Sequence, residues 1–277
     1  MYLTRHQTRG GPRWALDDRF LPAQFELGLL LQLPKKAIAG FLQSIPLAES
    51  ASGSLLPPVE PTQEVWASGV TYLRSREARE AESTVKDVYA RVYEAKRPEL
   101  FFKAVGWRVV GHQMPIRVRE DSRWNVPEPE LTLVANATGE IVGYCVGNDV
   151  SSRDIEGENP LYLPQAKVYE GSCAIGPGIL IAEAEQLRDL AIQIVMTREG
   201  RPVFEGATRT SQIKRPLEEL VAYLGLELDF PRGAFLMTGT GIVPPTDFSM
   251  QRGDVVRITI GQLTLENQVA PSRPARA

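Results

Sequence analysis

Apolar and polar positions alternate along much of this chain, and the period lengthens toward that of a helix in only a few stretches. Over residues 191–198, Ile192, Ile194 and Met196 alternate with Gln193, Val195 and Thr197, which predicts a strand half-buried against a core. Glu199-Gly200 predicts a tight turn into a second strand over 202–205. The same pattern gives a strand over 65–70, another over 179–182 after a turn at Gly176-Pro177-Gly178, and a closing hairpin of 255–260 and 263–267 around Gly261. Helical spacing occurs over 20–32 and 35–43, interrupted at Pro34, and over 74–86 and 216–224. Pro216 opens the last of these and Gly225 closes it. Residues 3–6 predict an edge strand, 154–164 a polar loop, and 271–277 a disordered tail. Many short strands with glycine turns predict an α+β chain that is mainly β, with a rolled or barrel-like core. Breakers cluster at Ser52-Gly53, Pro57-Pro58 and Pro61, dividing the chain into a small N-terminal α/β unit (1–60) and a larger unit (61–277).

The most informative alternation flanks Thr138-Gly139, where two apolar segments predict a hairpin. With Thr138 and Gly139 as the two turn residues, Ala137 faces Glu140, and counting back sets Glu128 opposite Asp149. Glu130 is then the diagonal neighbour on the same face, because side chains repeat every second residue. An acidic hairpin end is most often simply solvated. Here Glu130 enters an apolar strand directly, and three converging carboxylates repel one another unless a cation lies between them. A hard divalent ion such as Mg²⁺ takes oxygen ligands of this kind. Downstream, Thr238-Gly239-Thr240-Gly241 offers hydroxyls and close-approach backbone suited to a carboxylate. Lys167, at the start of a further segment, is on its own most often solvated.

These motifs resemble the fumarylacetoacetate hydrolase superfamily: Glu128-Pro129-Glu130, Asn148-Asp149-Val150-Ser151-Ser152-Arg153-Asp154, Lys167 and Thr238-Gly239-Thr240, in that order. The resemblance covers roughly residues 63–270. Within the superfamily, Gly69 to Glu77 and Val88 to Lys103 look most like the 2-keto-3-deoxy-arabinonate dehydratases. It implies a β-roll catalytic domain and a Mg²⁺ ion (Mn²⁺ or Ca²⁺ in its place) held by Glu128, Glu130 and Asp149. It also implies a 2-keto acid substrate contacted by Lys167, Thr240, Gly239 and Lys103, with Asp154 outside the ligand set. The implied reaction is enolate formation and β-elimination of water from a 2-keto-3-deoxy pentonate to 2,5-dioxopentanoate, with Lys167 catalytic. The helix over 74–86 would be a lid. Hydrolase members carry a His near its start, and Ser75 stands there, with Thr71 in place of an Asn. The alternative is a fumarylacetoacetate or acylpyruvate hydrolase, or a dienoate isomerase or decarboxylase.

Composition narrows the partners. A net charge of -3 supplies no basic field for nucleic acid. No apolar run reaches membrane-spanning length, and the N-terminus lacks a secretory core. The two cysteines, Cys145 and Cys173, predict buried free thiols, and the two histidines, His6 and His112, structural roles. A cytoplasmic homo-oligomer, dimer or tetramer, is expected.

Overall fold

The computed structural model describes residues 1–82 and 86–270, with the side chains of 82, 86 and 87 outside that description. Residues 83–85 of the helix expected over 74–86, and the whole tail expected over 271–277, therefore lie outside the described residues. In chain order, β1 (Tyr2–Thr8), β2 (Gly11–Leu16) and β3 (Arg19–Phe20) form a meander. A single turn α1 (Leu27–Leu30), helix α2 (Lys35–Ser44) and β4 (Leu55–Leu56) follow. Then come β5 (Glu64–Gly69), helices α3 (Leu73–Glu82) and α4 (Lys86–Glu94), and β6 (Glu99–Val105). The middle of the chain gives β7 (Asn125–Val126), β8 (Pro129–Ala135), β9 (Ile141–Asp149) and β10 (Ser151–Ser152). Helices α5 (Arg153–Glu158) and α6 (Leu163–Lys167) lead to β11 (Cys173–Ile181). The rest is β12 (Ala191–Arg198), β13 (Arg201–Arg209), α7 (Leu217–Leu224), β14 (Ala234–Met237), β15 (Val255–Ile260) and β16 (Leu263–Gln268).

Strands predominate, as their alternation predicts. The larger sheet runs β3-β2-β1-β11-β9-β8-β14-β5-β6, with β4 also on β1, and only β14–β5 is parallel. The smaller sheet, β13-β12-β15-β16, packs on one face of it. Ile192, Ile194, Met196, Ile258 and Leu265 meet Leu131, Leu133 and Val146 there, together with Leu217, Leu220 and Leu224 of α7. The opposite face, with Val134, Cys145, Phe235 and Met237, is covered by Leu27, Leu30, Ile38 and Leu42. Strands β8 and β9 are thus buried on both faces along their whole length.

Four local expectations are corrected. Strand β1 is interior, paired with β2 on one side and with β11 and β4 on the other. The helix expected over 20–32 shrinks to α1, because Phe20 pairs into the sheet and Pro22 intervenes. The first amides of α1 are received by the Glu60 carboxylate instead, at 2.6 and 2.9 Å. The polar loop over 154–164 holds most of α5 and the start of α6, so Lys167 ends a helix rather than opening a segment. Strand β11 is continuous, absorbing the expected turn as a register shift between Gly176 and Leu180.

Candidate active site

The hairpin register carries the site. Pairs from Pro129↔Asn148 to Val134↔Gly143 follow the expected count, and Asp149 N–H donates to Glu128 O at 3.0 Å. The tip departs from it. Asn136 N–H donates to Glu140 O and Gly139 N–H to Asn136 O, so the loop has three residues instead of two. A bulge between the Val134 and Ala135 pairs absorbs the extra residue, and the face assignment survives. Glu128, Glu130 and Asp149 each bring an oxygen to within 4.8 Å of the other two, and all three are buried. Gly147, opposite Glu130, is needed for space: a Cβ there would come 2.3 Å from Thr132 Oγ1.

Cations surround two of the three carboxylates. Lys167 Nζ donates to Glu128 Oε2 at 2.6 Å, Asp149 Oδ2 at 3.0 Å and Ser151 Oγ at 2.6 Å. Arg79 of α3 and Arg153 of α5 each donate to Glu128 Oε1 at 2.7 Å. Lys103 lies behind the site, contrary to its expected contact with substrate. It is fully buried, pairs with Asp149 Oδ1 at 2.5 Å, and donates to the main-chain oxygens of Val150 and Lys167. Glu130 differs from its neighbours: among the described residues it has no ion pair within 4.0 Å, and Gly239 N–H donates to it at 2.7 Å. That bond engages the Gly239 amide with Glu130.

Electrostatics follow from this arrangement. Burial first, then Asp149 and Glu128, push Glu130 well above the ordinary glutamate range. Burial also raises Glu128, against Lys167 and Arg79. Burial opposes the charge of Lys167, yet Asp149, Glu128 and Glu156 hold its ammonium well above the usual lysine value. A buried carboxylate triad with one member lacking a cation is a donor set that fits Mg²⁺, because oxygen-only anionic ligands suit a hard ion.

The three carboxylates open onto a pocket walled also by Ser68, Gly69, Val70, Ser75, Arg79, Tyr89, Glu99, Phe101, Glu156, Leu163, Lys167, Gly239 and Thr240. Helix α3 covers one side of it, in the position expected of a lid. Val70 sits at φ 52°, a left-handed conformation unusual for a β-branched residue, where β5 turns toward α3. Two acids here went unread in the sequence. Burial, and then Glu156, raise Glu99 to about 7. Burial would raise Glu156 too, but Arg79, Lys167 and Lys103 outweigh it and hold it below the ordinary range. Glu156 has no motif signal, whereas Glu99 lies within the Val88 to Lys103 stretch that resembles the dehydratases, beside the Phe101-Phe102 pair. Asp154, by contrast, accepts from Ser122, Arg123 N–H and Ile155 N–H and is structural, as expected. Ser75 Oγ donates to Tyr72 O, and both histidines bond elsewhere, His6 to Thr4 and His112 to Glu266 N–H.

Residues 64–270 match the family described as fumarylacetoacetate (FAA) hydrolase, C-terminal. The chain is 51% identical over 214 residues to a probable 2-keto-3-deoxyxylonate dehydratase of Haloferax volcanii, covering 76% of this chain and 73% of that one. It is 46% identical over 211 residues to 2-dehydro-3-deoxy-D-arabinonate dehydratase of Saccharolobus solfataricus, covering 74% and 70%. Among solved structures it superposes with a TM-score of 0.82 on 2-keto-3-deoxy-D-arabinonate dehydratase complexed with magnesium and 2,5-dioxopentanoate. The identity there is 36%, over 99% of this chain and 100% of the other.

Proposed function

Since this chain belongs to the fumarylacetoacetate hydrolase family, we propose that it is a Mg²⁺-dependent hydro-lyase converting a 2-keto-3-deoxy pentonate to 2,5-dioxopentanoate. The observation that carries the reading is the buried Glu128, Glu130, Asp149 and Lys167 cluster in a chain so similar to two such dehydratases. Glu128, Glu130 and Asp149 would hold the metal, whose Lewis acidity toward the substrate ketone eases loss of a C3 proton. Lys167, held charged, donates to the ketone oxygen as it gains negative charge. The Thr240 hydroxyl meets the substrate carboxylate at the pocket wall.

Glu99 is the proton carrier in this proposal. With its ionisation near neutrality, it takes the C3 proton as a carboxylate and returns it to the C4 hydroxyl as an acid. The C4–O bond breaks, water leaves carrying that proton, and the unsaturated product tautomerises to the dioxo acid. The rival hydrolase reading needs a group to activate water. The histidine that serves there in hydrolases is replaced by Ser75, whose hydroxyl is committed to Tyr72 O. Incubating the protein and Mg²⁺ with 2-keto-3-deoxy pentonates and acylpyruvates, and identifying products, tests the reading. Formation of 2,5-dioxopentanoate is expected; acylpyruvate cleavage alone would refute it.

Three further points belong to the same proposal. The division at residue 60 is supported by the family match beginning at residue 64 and by a pocket lined wholly from the larger unit. A dimer or tetramer would bury Trp107, Leu161 and Leu226, which stand well exposed, and light scattering tests it. Two buried free thiols suit a reducing cytoplasm. No helix among the described residues is long and apolar enough to cross a membrane.

A further inference from the structure

The pocket has two unlike ends. One carries the triad, Gly239 and Thr240. Across the Arg79 guanidinium lies the other: Nη2 reaches Glu128 Oε1 at 2.7 Å while Nε faces Glu156 Oε1 at 3.3 Å. Arg153 repeats the bridge from behind, at 2.7 Å to Glu128 and 3.9 Å to Glu156 Oε2. Glu156 is only 6% exposed, and among the described residues its Oε2 has no hydrogen-bond partner although it lines the pocket. With the Arg153 guanidinium no nearer than 3.9 Å, this buried oxygen is costly to leave without a hydrogen bond unless a closer donor arrives. Glu99 stands on the same wall, with Ser75, Tyr89, Phe101 and Leu163. The pocket's two cations, Arg79 and Lys167, are both already engaged with carboxylates. Among the described residues, a second carboxylate on the ligand would therefore meet Glu156 and, once it ionises, Glu99, with no unengaged cation, whereas a hydroxyl would supply the donor that Glu156 Oε2 lacks.

We infer that Glu156, with Glu99 beside it, reads the hydroxyl-bearing tail of the substrate and excludes 2-oxo acids that carry a second carboxylate. The inference rests on the 2-keto acid reading of the site and specifies which 2-keto acids it accepts. With the head group held at the triad, the tail lies against this wall, which forms the other end of the pocket among the described residues. Glu156 is a specificity residue: it accepts a hydrogen bond from a tail hydroxyl and repels a tail carboxylate. The diacid substrates of an isomerase or decarboxylase would be turned away by the same contact.

The test uses the Mg²⁺-loaded full chain and two probes with the same head, 2-oxopentanoate and 2-oxoglutarate, measured by calorimetry and as competitive inhibitors. In the wild type, 2-oxoglutarate should bind at least about tenfold more weakly, since like charges brought together in a desolvated site repel strongly. Glu156→Gln removes the charge and keeps the shape; it should narrow the gap to about threefold or less. That variant should also raise KM for a 2-keto-3-deoxy pentonate more than it weakens 2-oxopentanoate, because only the former has tail hydroxyls. Glu99→Gln should narrow the gap as well, and serves if the Glu156 variant does not fold. Wild-type binding of the two probes within twofold of each other would overturn the inference, as would a gap unchanged in both variants. If neither probe binds the metal-loaded protein, it is the 2-keto acid reading that falls, and this inference with it.

Discussion

The floor of the pocket and its wall are built on different principles. The floor is one hairpin: Glu128, Glu130 and Asp149 lie on adjacent strands, buried on both faces, and their separation is set by strand register. The wall is assembled from distant pieces, with Arg79 from α3, Glu99 from β6 and Glu156 from α5. Register is a local property that two apolar runs and a turn nearly determine. The wall depends on how helices and strands far apart in sequence come to pack. The chemistry common to a family suits the first kind of construction, and the choice among substrates suits the second.

The largest effect should come from the floor. Stripping the metal with EDTA should abolish turnover, and Mg²⁺ or Mn²⁺ should restore it; full activity after thorough stripping would break the comparison at its base. With metal bound, Lys167→Ala should lower kcat by about 10²–10⁴-fold, the usual worth of a positioned proton-handling or charge-stabilising group. Metal affinity should stay level or rise slightly, since a nearby positive charge is gone.

Next in size is Glu130→Gln, which removes the one ligand lacking a cationic partner. Metal affinity measured by calorimetry should fall more than the roughly 10–100-fold typical of losing a residue that merely supports a ligand. The apo protein should match wild type at low pH and exceed it as pH rises, because the amide never has to carry the charge that burial penalises in Glu130.

Lys103→Met separates support from contact. Asp149 would keep Lys167 but lose the ammonium behind it, and breaking a buried pair in this way costs about 3–5 kcal/mol. Urea unfolding should report that loss. If Lys103 touched substrate, KM for the keto acid would rise even in variants that bind metal normally; an unchanged KM is expected.

The smallest effect concerns pH. Glu130 and Glu99 are carboxyls raised by burial, so the folded apo protein holds their protons more tightly than the unfolded chain does. Their favourable contribution is present in full below the unfolded value near 4.5 and is lost as pH rises, through about 7 for Glu99. Melting of the metal-free protein should therefore show a modest decline over that range. Added Mg²⁺ should stabilise more at pH 8 than at pH 6, since it replaces protons that have already left. A flat apo profile would show that the floor carboxylates are compensated some other way.

This contrast also explains what could be read from the chain alone. Glu128, Glu130 and Asp149 came from counting residues along two strands, and the strands of the smaller sheet from simple alternation. The bond from the Gly239 amide to Glu130 could not be read from the chain, because the two residues lie more than a hundred positions apart. Lys103 lies two residues beyond a pair of phenylalanines, a pattern compatible with either side of the strand, and only the packed sheet puts it behind Asp149. Glu99 lies in the resembling stretch with no role of its own to read, and Glu156 in the polar loop expected over 154–164. Their environment is created by α3 and α5 folding over the pocket, which no spacing within either segment encodes. The short helices α5 and α6 were hidden because Gly157 and Pro160 read as loop residues, although Gly157 lies inside α5 and a proline, Pro164, sits in the first turn of α6.

The bulge near the hairpin tip has a bearing on how such a chain can change over generations. Facing in a strand depends only on whether the number of residues is odd or even, so the metal centre is sensitive to parity rather than to length. One residue added between Leu131 and Val134 would turn Glu128 and Glu130 into the hydrocarbon layer behind them. The same addition at 137–139 can be taken up where the ladder already slips, as the present three-residue loop demonstrates. Insertions and deletions are thus filtered by position: lethal to the centre a few residues from the tip, and nearly silent at the tip itself.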